Sequence, residues 1–187
     1  MAFTLPTYHR AAFIMIVILM GVSGVGKTTI GRLLADRLSC PFLDADDFHP
    51  PQNVAKMRRG VPLDDTDREP WLEGLRAEIT RRLDRGESAV LACSALKQSY
   101  RDRLQVRDAV RVVYLRGDAA LIRDRLLARR GHYFDPGLLA SQFAALEEPQ
   151  DLLTVDVTGT PEEIAARVAA ELLAGPRPGP DGDDLSR

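Results

Sequence analysis

The feature that most constrains the fold is a glycine-rich segment at residues 21–29, which reads GVSGVGKTT and directly follows an apolar run at residues 11–20. A helical pattern occupies residues 28–38, so these segments together predict a buried strand, a tight turn and a helix. The turn matches the phosphate-binding pattern G-x-x-x-x-G-K-[ST], the P-loop, whose fixed places are filled by Gly21, Gly26, Lys27 and Thr28. We therefore predict that this chain binds a nucleoside triphosphate.

The P-loop also predicts how the phosphates are held. Glycine lets the backbone curl closely around phosphate oxygens, and the following helix directs its positive N-terminal end at them. Lys27 is expected to reach the β- and γ-phosphates, and the Thr28 hydroxyl group to ligate Mg²⁺. A glycine turn that only joins a strand to a helix is disfavoured, because a chance match has a probability of about one per cent or less. ATP binding is assigned to the whole loop, namely Gly21, Val22, Ser23, Gly24, Val25, Gly26, Lys27, Thr28 and Thr29.

Length and charge limit the class of protein. A chain of 187 residues suits one domain, which we expect at 14–174, between a flexible lead at 1–13 and a disordered tail at 175–187. The net charge of -2 gives no general attraction to nucleic acid or to an anionic membrane, and the ten apolar residues before the P-loop are too few to span a bilayer. Cys40 and Cys93 lack metal-ligand spacing, which indicates a reduced, cytoplasmic protein.

Strand and helix patterns alternate along the rest of the chain. Strands are expected at 41–44, 88–92, 111–115 and 152–157, and helices at 53–59, 70–85, 97–105, 119–129, 137–146 and 161–174. This alternation predicts an α/β fold of three layers, with helices on both faces of a central parallel sheet. Ligands of such sheets collect at the carboxyl ends of the strands, so the P-loop should share one crevice with residues 44–49 and 93–97.

An acidic pair follows the second expected strand. Asp44 and Asp46 are two positions apart, so along a strand their side chains would share one face, with Asp47 directed elsewhere. One carboxylate could hold Mg²⁺, and the other could accept the proton of an attacking hydroxyl group. An acidic run that only caps a helix or solvates a loop is the alternative, and the neighbouring P-loop makes it the less favoured one. His49, beside these carboxylates, is a candidate substrate contact.

Basic residues form two further candidate groups. Lys97 and Arg101 are spaced i, i+4 on an expected helix, and together they could clamp a carboxylate. A solvated basic face is equally compatible with that spacing. Arg125 and Arg129 precede a glycine, an order typical of a mobile lid, here at about 125–137, that closes over phosphates. Arginines stabilised by the negative end of a helix are the alternative.

Longer strings resemble the gluconate kinases, or gluconokinases. They are DADDFHPPQN at 44–53, KM at 56–57, GVPLD at 60–64, DREPWL at 67–72, ACSALK at 92–97, YRD at 100–102, GH at 131–132 and SQF at 141–143. The resemblance runs from about residue 16 to residue 173, which is almost the whole expected domain. It implies a three-layer P-loop kinase fold like that of the shikimate and nucleoside monophosphate kinases, with a mobile lid, and commonly a homodimer.

The resemblance also implies a reaction, the transfer of the γ-phosphoryl group of ATP to the 6-hydroxyl of D-gluconate. By analogy with shikimate kinases, Asp44 would support Mg²⁺, Asp46 would hold the substrate hydroxyl group, and Arg68 would bind the substrate carboxylate. The expected carboxylate clamp consists of Lys97, Arg101 and Arg68. The substrate hydroxyl groups are expected to contact Asp46, His49 and Asn53. The phosphate cradle is expected to consist of Lys27, Arg125 and Arg129.

Two alternatives stay open. A kinase on the same scaffold could act on shikimate or on another sugar acid. A P-loop switch or nucleic-acid-dependent ATPase is less favoured, because the chain has a net negative charge and lacks both a basic-aromatic stripe and a guanine-reading N-K-x-D string.

Overall fold

The structure is a computed structural model that describes residues 14–128 and 136–174. The expected lead at 1–13, the tail at 175–187 and the central part of the expected lid at 129–135 lie outside the described residues. Five strands occur in the described ranges, namely β1 (Ile16–Met20), β2 (Phe42–Asp44), β3 (Ala89–Ala92), β4 (Val110–Arg116) and β5 (Leu153–Asp156). The α-helices are α1 (Lys27–Leu38), α2 (Pro51–Arg58), α3 (Asp65–Asp84), α4 (Gln98–Leu104), α5 (Ala119–Ala128), α6 (Pro136–Ala145) and α7 (Pro161–Ala174).

The strands form one parallel sheet in the order β2-β3-β1-β4-β5. β1 is the central strand, and Ile16 pairs with Ala89 of β3 on one side and with Val110 of β4 on the other. Every residue of β1 is buried, which is the pattern expected of a strand covered on both faces. The predicted α/β fold with a central parallel sheet is confirmed.

Helices cover both faces of the sheet and complete the three layers. On one face, Ile16, Ile18 and Met20 of β1 pack in a core with residues of α3 and α4. On the other face, Val17 and Leu19 pack with residues of α1 and α7. The continuous apolar run therefore supplies both cores, with alternate side chains directed to opposite faces. No helix within 14–128 and 136–174 is long and apolar enough to cross a membrane.

α3 begins five residues before the predicted start at residue 70. Asp64 caps the helix, since its carboxylate accepts the Asp67 backbone N–H at 2.8 Å while the Asp67 carboxylate accepts the Asp64 backbone N–H at 3.1 Å. This reciprocal pair is a capping box, which satisfies two otherwise unpaired amides at the helix start. Pro70, at the expected start of the helix, lies inside α3 instead. The longer helix places Asp65 and Arg68 in its first turns.

Candidate active site

The P-loop connects the carboxyl end of β1 to the first residue of α1. Gly21 and Gly24 adopt positive φ values of +141° and +84°. A Cβ atom on Gly21 would lie 2.8 Å from the Leu115 carbonyl oxygen, and one on Gly24 would lie 2.7 Å from Cγ of Leu126. Glycine is therefore required both by the backbone turn and by the close approach of β4 and α5. Val25, in contrast, is fully buried and anchors the loop in the core.

Lys27 is the central cation of the loop. Its Nζ donates to the carbonyl oxygens of Gly21 at 2.8 Å and Val22 at 3.0 Å, so the ammonium group is held inside the turn. Burial lowers the pKa of Lys27 to about 8, against the opposing attraction of Asp46 and Asp44. A partly desolvated ammonium group beside loop amides is well placed to pair with phosphate oxygens.

Thr28 and Asp44 bring the P-loop and β2 together. The Thr28 hydroxyl group donates to Oδ2 of Asp44 at 3.4 Å. Both side chains offer hard oxygen atoms, which are the donors that Mg²⁺ prefers, and Mg²⁺ is commonly bound by one or two protein side chains together with waters and phosphates. Within the described residues no group of three or more His, Cys, Asp or Glu could hold a metal ion by itself. The pair therefore fits a magnesium ion held jointly with a nucleotide.

Asp46 reaches the same site by a geometry that the sequence reasoning did not foresee. We expected Asp44 and Asp46 to share a strand face, but β2 ends at Asp44 and a 3-10 helix, Ala45–Phe48, follows. Asp44 caps this helix, and its Oδ1 accepts the Asp46 backbone N–H at 3.2 Å. Burial is the main cause that raises the pKa of Asp46, and the negative charge of Asp44 raises it further. The helical turn, rather than strand alternation, directs both carboxylates into one cavity.

That cavity has a volume of about 220 Å³. Its wall is formed by the P-loop, the turn with Asp44 and Asp46, and the end of β3. The residues that line it are Ser23, Gly24, Gly26, Lys27, Thr28, Asp44, Asp46, Ala92, Cys93 and Ser94. The predicted crevice at the carboxyl ends of the strands is thus present. Burial raises the pKa of the Cys93 thiol to about 12, so this side chain contributes an uncharged wall.

His49 is held against α3. Its ring stacks on Trp71 with centroids 4.7 Å apart and planes 11° from parallel. Trp71 is fixed in turn because its Nε1 donates to the Ala45 carbonyl oxygen at 2.7 Å. Burial lowers the pKa of His49, with Asp46 and Arg68 acting in opposite directions. A neutral imidazole beside Asp46 can exchange hydrogen bonds with a hydroxyl group.

Asn53, expected as a substrate contact, is fully buried. Its Nδ2 donates to the Asp67 carbonyl oxygen at 2.7 Å and lies 3.5 Å from Nδ1 of His49. Among the described residues no group donates to its Oδ1. Asn53 therefore joins α2 to α3 and lies against His49.

Arg101 is also placed differently from the expected carboxylate clamp. Lys97 lies before α4 in an extended conformation, so Lys97 and Arg101 do not share one helix face. Arg101 is 1% exposed, and its guanidinium group donates to Gln98 and to the carbonyl oxygens of Ala95, Leu96 and Glu147. It stabilises the turn around Ala95, whose φ of 42° is unusual for a residue other than glycine. Arg101 therefore has an internal structural role.

Lys97 and Arg68 instead meet at a residue that the sequence reasoning missed. Both approach the carboxylate of Asp65, Lys97 at 2.6 Å and Arg68 at 3.8 Å. Arg125 donates to the Val157 carbonyl oxygen at 2.7 Å, joining α5 to the loop after β5. Arg129 lies outside the described residues.

Gln142 of α6 is a further missed neighbour of the P-loop. Its Oε1 accepts the Ser23 backbone N–H at 2.6 Å, and its Nε2 donates to Oγ of Ser23 at 3.2 Å. The SQF string at 141–143 was the only signal for it, and that string carries no chemistry of its own. One amide of the phosphate-binding loop is thus paired with α6 in this structure.

Comparison with known proteins gives consistent matches over most of the chain. The sequence model of the shikimate kinase family matches residues 23–172. A probable gluconokinase of Rattus norvegicus is 43% identical over 179 residues, covering 84% of this chain and 97% of the relative. The crystal structure of a gluconokinase from Sinorhizobium meliloti 1021 has a TM-score of 0.76 and 36% identity, covering 87% of this chain and 97% of that one. The crystal structure of a sugar kinase from Janibacter sp. HTCC2649 has a TM-score of 0.79 and 41% identity, covering 87% of this chain and 96% of that one.

Proposed function

The chain belongs to the gluconokinase family, and on this premise we propose that it transfers the γ-phosphoryl group of ATP to the 6-hydroxyl of D-gluconate. The products are 6-phospho-D-gluconate and ADP. One observation carries the proposal, namely that Lys27, Thr28, Asp44 and Asp46 line the same cavity. Phosphoryl transfer needs a phosphate cradle, hard oxygen ligands and a hydroxyl acceptor, and these four side chains supply them.

The P-loop holds the nucleotide phosphates. Its backbone amides and the N-terminal end of α1 surround the negative charge, and Lys27 exchanges the carbonyl oxygens of Gly21 and Val22 for phosphate oxygens. Charge on the transferred group is spread over its oxygens in the transition state, so a fixed ammonium group lowers the barrier. Arg125, near the loop after β5, and Arg129 complete the nucleotide site in this proposal.

Asp46 holds and deprotonates the substrate hydroxyl group. Its raised pKa makes it a better proton acceptor than an ordinary aspartate, although still a weak base. A weak base is sufficient because phosphoryl transfer passes through a loose transition state, in which positioning matters more than deprotonation. His49, next to Asp46, contacts the neighbouring hydroxyl groups of the sugar acid.

Thr28 and Asp44 are the side chains that would hold Mg²⁺. When bound, the ion supplies positive charge that neutralises the phosphates. The two side chains already lie within 3.4 Å of each other, so they need little rearrangement to act together.

The substrate carboxylate is bound by Lys97 and Arg68. We further propose a homodimer in the cytoplasm, a single domain at 14–174, and a lid at about 125–137 that closes over the phosphates. No nucleic acid or membrane partner is required by this function.

The test is phosphate transfer from ATP to D-gluconate by the purified chain, with the product identified by mass spectrometry and ³¹P NMR. Shikimate and a panel of other sugar acids serve as competing acceptors, and Lys27→Ala provides the matched inactive protein. Formation of 6-phospho-D-gluconate at a higher kcat/KM than any other acceptor is expected. A higher kcat/KM for shikimate, or ATP hydrolysis that gluconate does not accelerate, would refute the proposed function.

A further inference from the structure

Asp65, the first residue of α3, lies between two cations from different elements. Nζ of Lys97 is 2.8 Å from its Oδ1 and 2.6 Å from its Oδ2, so the ammonium group contacts both oxygens. Arg68 approaches Oδ1 with its Nη1 at 3.8 Å. The hydroxyl group of Tyr100 donates to the same Oδ1. The single negative charge of Asp65 therefore faces the two positive charges of Lys97 and Arg68, and this cluster carries a net charge of +1.

The cluster is connected to the cavity through the turn after β3 and through His49. Lys97 follows β3 directly after the turn that includes Cys93 and Ser94, and both of these line the cavity. Arg68 is close enough to His49 for its positive charge to oppose protonation of that ring, and the charge of Asp46 acts on the same ring from the cavity. Arg68 and Lys97 do not line the cavity themselves, but they lie beyond it on the side of His49 and of the turn after β3.

The Asp65 carboxylate can be displaced at low cost. Its side chain is 62% exposed, and the side chains of Lys97 and Arg68 are 34% and 32% exposed. Ion pairs with this exposure are weak, because water screens the charges and can replace either partner. An incoming carboxylate would meet the same two donors and would leave Asp65 free to be hydrated.

Resting on the proposed function, we propose that Asp65 occupies the place of the sugar acid's carboxylate and sets the affinity for it. Before binding, Asp65 orients Lys97 and Arg68 and prevents their repulsion. On binding, the substrate carboxylate takes over these contacts, so that one carboxylate replaces another. Asp65 is a positioning residue, and its charge competes with the substrate.

Asp65→Asn separates this role from a purely structural one. The amide keeps the shape and can still accept a hydrogen bond, but it no longer competes as an anion. We expect KM and the calorimetric Kd for D-gluconate to fall about two- to fivefold, the size of one exposed ion pair, with kcat little changed. A residue that only held Lys97 in place would give the opposite sign, a higher KM. Asp65→Ser gives a second, shorter neutral side chain for the same measurements.

Glu69→Gln is the matched control variant. Glu69 pairs with Arg103 at 2.5 Å, which joins α3 to α4 at comparable exposure but involves neither Lys97 nor Arg68. Its KM for gluconate should equal that of the unmodified protein. D-glucitol, which has the chain of hydroxyl groups without the carboxylate, is the matched acceptor, and its kcat/KM should not improve in Asp65→Asn.

The outcomes distinguish the inference from the proposed function. No gluconate phosphorylation by the unmodified protein would refute the function itself. Gluconate phosphorylation with an unchanged or raised KM in both Asp65 variants would overturn only the role of Asp65. An equal rise in kcat/KM for D-glucitol would overturn the role of Asp65 as well, because the effect would then not depend on the substrate carboxylate.

Discussion

ATP binding should draw a proton onto Lys27. In the free protein burial lowers the pKa of this side chain to about 8, so near that pH a large fraction of the protein carries a neutral amine. Once the amine pairs with phosphate oxygens, the charged form is favoured and its pKa rises. Because the pKa is low in the free state and high in the bound state, binding takes up protons, and the affinity falls as the pH increases through about 8.

The size of the effect follows from the pKa of about 8. The uptake should be about 0.1 proton per ATP at pH 7, about 0.5 at pH 8 and about 0.9 at pH 9, provided that the bound amine stays charged. Over the same range the affinity for ATP should fall about tenfold. At pH 8 and above the phosphates do not contribute, because their last pKa is near 6 and they are fully ionised there; at pH 7 the proton that they lose on binding offsets part of the uptake.

Calorimetric titration in two buffers of different ionisation enthalpy measures the uptake directly. Lys27→Arg is the control, since a guanidinium group keeps its proton at all of these pH values, and the uptake should vanish even if the affinity changes. A binding reaction without proton uptake at pH 8 to 9 would refute the reasoning. So would an undiminished uptake in the Arg variant, which would assign the proton to another group.

Three further substitutions test the assigned roles. Asp46→Asn should lower kcat at least about a hundredfold while the calorimetric Kd for ATP changes less than about twofold, and a parallel loss of ATP affinity would contradict the acceptor role. Thr28→Val keeps the side-chain shape but removes the hydroxyl group. Mg²⁺ should then increase the affinity for ATP about tenfold less than it does in the unmodified protein, while the affinity without metal stays unchanged. If Mg²⁺ increases the affinity of the variant as much as before, Thr28 is not part of the metal site. Arg101→Met should lower the free energy of unfolding in urea by about 3 kcal/mol or more, because it leaves several buried carbonyl oxygens unpaired, and a loss below about 1 kcal/mol would argue against that role.

The sheet and the phosphate site could be predicted because their signals are local. β1, the P-loop and α1 are contiguous, and glycine, lysine and threonine at fixed spacing have few other uses. The start of α3 was missed although its capping box is also local. The expected helix begins at residue 70 and leaves out the acidic residues at 64–67, whereas Pro70 lies inside α3. A proline inside a helix costs one hydrogen bond, and the packing of α3 on the sheet outweighs that cost.

The roles of Asn53 and Arg101 could not be predicted because they depend on distant partners. Arg101 bonds to the Glu147 carbonyl oxygen, which is 46 positions away, and Asn53 bonds to the carbonyl oxygen of Asp67. A polar side chain looks the same in a sequence whether its partner is a ligand or a buried backbone group. Burial alone distinguishes the two cases, and burial is a property of the assembled fold.

Lys27 and Lys97, the two lysines proposed to bind ATP and the sugar acid, share one arrangement. Lys27 is held by carbonyl oxygens of its own loop, and Lys97 is held by the carboxylate of Asp65. Each ligand must therefore replace an internal partner, so the measured affinity is the difference between two sets of contacts rather than the strength of the new one. The partners differ in kind, since carbonyl oxygens stay in place while a largely exposed carboxylate can turn into water. Weakening the internal partner should consequently tighten binding of the sugar acid, whereas the phosphates must compete with a fixed loop whose glycines admit no substitution without strain.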